Sequence, residues 1–84
     1  MYRVPTMPDE FAAAKARFVA LVHEIDPDVT VVIPERSTQD AFRISLTRAG
    51  TRRVVTVSED DMLDLIEDED APAKMHAKLR GEVP

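Results

Sequence analysis

The chain has 84 residues, a net charge of −5, 44% hydrophobic residues and no cysteine. That length supports one domain burying about 60% of the surface its unfolded chain exposes, and it excludes a large enzyme fold. The absence of thiols excludes a disulfide scaffold and a cysteine-ligated zinc module. An apolar share near the globular average, with two glycines and six prolines, excludes low complexity and full disorder.

The charge is distributed in blocks. Residues 1–34 are mildly acidic at −2, whereas residues 35–57 set Arg36, Arg43, Arg48, Arg52 and Arg53 against Glu35 and Asp40, a local +3. Residues 58–70 hold eight carboxylates and no basic residue, a local −8, and residues 71–84 return to +2. The acidic total disfavours nonspecific binding to nucleic acid and to anionic membranes. The apolar stretch Phe18-Val19-Ala20-Leu21-Val22 is too short to span a bilayer, and what precedes it lacks the basic-then-apolar order of a signal peptide. A cytoplasmic protein without membrane contact is expected. Arginine outnumbers lysine eight to three, which suggests a GC-rich bacterial coding bias.

Residues 1–7 show no periodicity and read as an irregular arm. Pro8, Asp9 and Glu10 suit a first helical turn, with Thr6 or Met7 as cap. Phe11, Ala14, Phe18, Leu21, Val22 and Ile25 form one stripe of a 3.6-residue period, so a helix is predicted from Pro8 to about Ile25, ended by Pro27. Asp28–Ile33 is β-branched and stops at Pro34, a first strand. Glu35–Asp40 is a polar connector with no apolar anchor. Phe42, Ile44 and Leu46 alternate with Arg43, Ser45 and Thr47 as a second strand, Ala49-Gly50 makes the turn, and Thr51–Val57 is a third strand.

Because a one-residue slip sends every side chain to the wrong face, the hairpin register can be chosen from pattern alone. A two-residue loop at Ala49-Gly50 sets Thr47 against Arg52, Ser45 against Val54 and Ile44 against Val55. One face then collects Phe42, Ile44, Leu46, Val55 and Val57, with Arg53 near its end. The other collects Arg43, Ser45, Thr47, Arg52, Val54 and Thr56. Ala49 is a poor residue for the positive φ of such a turn, and a four-residue loop over Arg48–Thr51 keeps the same pairing.

Ser58 and Asp61 have capping-box spacing, opening a second helix whose Met62, Leu65 and Ile66 form its apolar stripe, with Leu63 at its edge. Asp60, Asp64, Glu67 and Asp68 fall on its outward side. Asp70-Ala71-Pro72 interrupts it, and a short third helix, or a kinked continuation, runs from Pro72 to Arg80 with Met75 and Leu79 as an i, i+4 pair and Gly81 as its stop. Residues 81–84 read as a flexible end. The expected fold is α+β in two layers: helix, three-stranded antiparallel meander, helix and a short C-terminal helix, with both main helices on one sheet face. Residues 1–84 form a single domain.

This element order resembles that of the double-stranded-RNA-binding domain, in topology alone. Where that family places lysines at the start of its last helix, this chain has Ser58-Glu59-Asp60-Asp61, so the likeness implies no RNA-binding activity. The acidic run lacks the glycine and alternating ligands of an EF-hand, and no metal or other cofactor is implied. His23 and His76 have no catalytic spacing, and the two glycines form no phosphate loop. The reading is a non-enzymatic protein-interaction or regulatory module. It would bind a protein partner or itself, as a homodimer, through the uncovered sheet face or first-strand edge, with Arg43, Arg48, Arg52, Val32 and Val54 as contacts. Asp60, Asp64, Glu67 and Asp68 form an opposed acidic surface, suited to a basic partner. The alternative is a nucleic-acid binder using Arg36, Arg43, Arg48, Arg52 and Arg53, a face that lacks the aromatic residues on which bases stack.

Overall fold

The apolar stripe of the first helix does fold as a helix. The computed structural model describes residues 11–84, in which α1 spans Ala12–Ile25 and buries Ala14, Phe18, Leu21 and Val22. The arm at 1–7 and the expected opening turn at Pro8, Asp9 and Glu10 lie outside the described residues. Pro27 ends α1 as expected, through a turn organised by Asp26. Its N–H bonds Val22 O at 2.9 Å, and its Oδ1 accepts the Asp28 N–H at 3.0 Å. His23 Nε2 lies 3.0 Å from Val29 O across the same turn.

Strand β1 is only Thr30–Val32, shorter than the β-branched run that suggested it. Val29 has already turned into the core, and Pro34 has no N–H to extend the ladder. β2 spans Ala41–Arg48 and β3 spans Thr51–Ser58, and the three strands form an antiparallel sheet in the order β1-β2-β3. The hairpin takes the two-residue register, with Thr47 opposite Arg52, Ser45 opposite Val54 and Ile44 opposite Val55. Ala49 at φ 51° and Gly50 at φ 82° are both left-handed, the pattern of a type I′ turn. Ala49 therefore stores strain that asparagine relieves. Ala49→Asn is expected to stabilise the fold by about 0.5–1 kcal/mol, raising Tm by a few degrees in a thermal melt, and a lower Tm would refute this assignment.

The connector from Glu35 to Asp40 is anchored by hydrogen bonds rather than by apolar contacts. Thr38 and Ala41 exchange two backbone bonds, of 2.8 and 3.1 Å, around Gln39 and Asp40, both at positive φ. Ser37 donates its hydroxyl to the Glu59 carboxylate, and Lys15 Nζ bonds Glu35 O at 3.1 Å.

Ser58 caps α2, Glu59–Glu67, by accepting the Asp61 N–H at 3.1 Å, as its spacing predicts. One position on α2 departs from expectation: Ile66 is 47% exposed, and only Met62 and Leu65 are buried. α2 has nine residues and packs through a narrow ridge, so the side of its apolar stripe that carries Ile66 stays in solvent. α3, Ala71–Arg80, completes the layer with Met75 and Leu79 buried. Gly81 has φ −86°, so the helix stops without a left-handed residue. Val83 N–H bonds Leu79 O at 3.0 Å, and its side chain packs against the core.

The fold is thus α+β, with three helices and a three-stranded antiparallel sheet. Phe42, Ile44, Leu46, Val55 and Val57 of the sheet's inner face share one core with the helices, and every buried described residue is apolar. Phe11 meets Phe42 edge to face at 5.1 Å, and Lys15 Nζ lies 5.3 Å from the Phe42 ring. No helix among the described residues is long and apolar enough to cross a membrane.

Candidate functional site

The outer sheet face follows directly from the period of two. With Phe42, Ile44 and Leu46 turned inward, Arg43, Ser45 and Thr47 must point outward, and pairing carries this rule to both neighbours. Val32, Ser45 and Val54 therefore form one cross-strand row, and Thr30, Thr47 and Arg52 form the next. No described helix covers either row. Val32 is 58% exposed and Val54 51% exposed, flanking a half-buried Ser45.

The three arginines expected to act together are held differently. Arg52 lies across the face and donates to Ser45 Oγ at 3.1 Å. Arg48 turns instead to the C-terminal end of α1, where its Nε sits 2.6 Å from Asp26 Oδ2. This pair ties the hairpin to the end of α1; with Arg48 46% exposed it adds little stability but fixes an orientation. Arg43 stands on the outer face opposite Thr56, without an ion pair among the described residues. Arg53 is exposed although it holds a core-side register position opposite the buried Leu46, because the helix layer does not reach the hairpin end.

The acidic residues also divide. Asp64 and Asp68, with Asp61, line a groove of about 250 Å³ between α2 and α3, which Lys74 and Lys78 share. Asp60 and Glu67 are exposed outside it. The acidic surface is thus not one cluster, and no group of three or more potential metal ligands converges among the described residues. A second shallow groove, between α1 and α3, is lined by Arg17, Leu21, Glu24, Pro72, Ala73 and His76.

Asp26, Ser37 and Glu59 carry contacts that the strand pattern did not reveal. Asp26-Pro27-Asp28 does have the composition of an Asx turn, the one local signal that marks Asp26 as structural. Chemically the outer face offers two apolar patches, hydroxyl groups and one unpaired guanidinium on a flat surface. Its shape is flat, without the concavity that encloses a small molecule. No family model matches the chain, and searches of curated proteins and of solved structures likewise give no match.

Proposed function

We propose that the protein is a small non-enzymatic interaction or regulatory module, which receives a protein partner or another copy of itself on its bare sheet face or at a strand edge. The observation that carries this reading is the Val32–Ser45–Val54 row, with two valines more than half exposed on a face that no described element covers. Covering them returns about 1 kcal/mol per valine, roughly half the value of full burial. Arg43 beside the row adds charge-assisted recognition of a carboxylate. On this reading the protein works in the bacterial cytoplasm, away from membranes.

The nucleic-acid alternative draws on the same arginines, and Arg48 and Arg52 already have intramolecular partners. Among the described residues the outer face also lacks an aromatic side chain, Phe42 being turned inward and buried. A protein partner is the better-supported reading.

The test combines Val32→Glu with Arg43→Glu. Both side chains project into solvent, so the circular dichroism spectrum and Tm should stay close to those of the parent. Affinity capture from the native host, run in parallel with parent and variant, should show bound proteins that the variant loses. An identical bound set with both baits would overturn the outer-face reading.

A further inference from the structure

The sheet has two edges of unequal character. β1 is three residues long and is followed closely by Pro34, so it is a blunted edge. β3 is eight residues long, contains neither proline nor glycine, and ends the strand order. Its sequence, Thr51-Arg52-Arg53-Val54-Val55-Thr56-Val57-Ser58, is rich in strand-forming residues.

The register shows which backbone groups this edge presents. In an antiparallel pair, alternate residues direct their N–H and C=O groups to one neighbour. The Glu59 N–H bonds Asp40 O at 2.9 Å, continuing the β3–β2 ladder, so Thr51, Arg53, Val55 and Val57 share that parity and face β2. Arg52, Val54 and Thr56 consequently direct their backbone groups to the side on which no described strand lies.

This inference rests on the interaction reading above and names the partner. We propose that β3 pairs with β3 of a second copy, antiparallel about a two-fold axis at Val54, joining two sheets into one. An axis there sets Val54 opposite Val54 and Arg52 opposite Thr56, so all three outward-facing residues exchange hydrogen bonds. It also separates like charges, whereas an axis at Arg53 would oppose the two Arg53 side chains. The valine rows of the two outer faces become continuous across the joint.

Charge complementarity supports the same occupant. Antiparallel pairing carries the hairpin end of one copy, with its exposed Arg53, toward the exposed Asp60 and Asp61 that open α2 of the other. The residue pattern that gave +3 beside −8 within one chain becomes an attraction between two. Arg53 gains a purpose: unused on the core side of its own hairpin end, it lies next to Val55 of the other copy, on the helix-bearing side. An isologous contact of this kind closes at two copies and leaves only the blunted β1 edges outside.

Because the chain has no cysteine, Val54→Cys reads the axis directly. A hydrogen-bonded pair places Cα atoms about 5.5 Å apart, within disulfide reach. Under mild oxidation Val54→Cys should form a disulfide dimer and Val32→Cys should not. Sedimentation equilibrium of the parent should give twice the monomer mass. Val54→Pro removes an edge N–H without touching the β2 ladder, and Val54→Lys crowds the axis with like charge; each should weaken association at least tenfold while keeping the parent's circular dichroism. Arg53→Glu should weaken it comparably. A parent that remains monomeric up to about 1 mM, or cross-linking at position 32 rather than 54, would overturn the proposal. So would tighter association of Arg53→Glu, which would make Arg53 a guard against edge pairing. The broader interaction reading stands or falls separately, on the Val32→Glu, Arg43→Glu capture, whose substitutions lie on β1 and β2.

Discussion

Phe18→Ala is expected to remove a large part of the protein's stability. Phe18 is fully buried at the centre of the α1 stripe, between Ala14 and the Leu21-Val22 pair, and belongs to the one core that the helices share with the sheet. Removing a buried phenylalanine ring costs about 3–5 kcal/mol, transfer and cavity terms together. At roughly 0.05–0.15 kcal/mol per residue, a domain of 84 residues has about 4–13 kcal/mol in total. The loss is therefore a large part of what is there. Phe18→Leu keeps most of the volume and should cost less than about 1.5 kcal/mol, so it remains folded. Urea titration followed by circular dichroism measures both. A Phe18→Ala unfolding free energy within about 1 kcal/mol of the parent's would mean that α1 is not seated on the sheet as described.

The parts of this fold that could be read from sequence are those ruled by repeating geometry. The alternation Phe42, Ile44, Leu46 against Val55 and Val57 selects the face that is buried, and the two-residue register follows before any coordinate is known. The same alternation exposes Val32 and Val54, so the outer face was legible as well. The α1 stripe succeeds for the equivalent reason at period 3.6. Ile66 fails because periodicity states which residues share a side of a helix, and not how wide a strip of that side the neighbours cover.

What remained hidden depends on loops and on pairs distant in sequence. The left-handed Gln39 and Asp40, which fold the connector back on Ala41, have no glycine to announce them. Ser37 and Glu59 are separated by 22 positions and meet only because the connector and the start of α2 converge at one end of the sheet. The division of the arginines has the same origin. Arg48 finds Asp26 because the hairpin tip lies over the end of α1, and that depends on how sheet and helix cross. Charge counting located the basic block correctly but could not say which of its members the fold would occupy.

Shortening the chain after Asp70 is expected to abolish cooperative folding, although the sheet, α1 and α2 would all be retained. α3 packs against both other helices, placing Met75 and Leu79 in the core, and the following Val83 lies against it. Deleting it uncovers the helix sides that flank Leu21 and Leu65 and removes two buried side chains. Each such loss alone costs about 2–5 kcal/mol when the residue is truncated to alanine. No second layer can take over, because the opposite face of the sheet has no described element upon it. A residue 1–70 fragment should therefore give a poorly dispersed amide NMR spectrum and a sloping thermal trace. Leu79→Asp makes the same point within the intact chain: it places an unpaired carboxylate where nothing buried can hydrogen-bond it, and carboxylates are not buried without a partner. It should unfold the protein at neutral pH. If the fragment instead melts sharply within a few degrees of the parent, α3 is an appendage, and the core must close over the sheet with α1 and α2 alone.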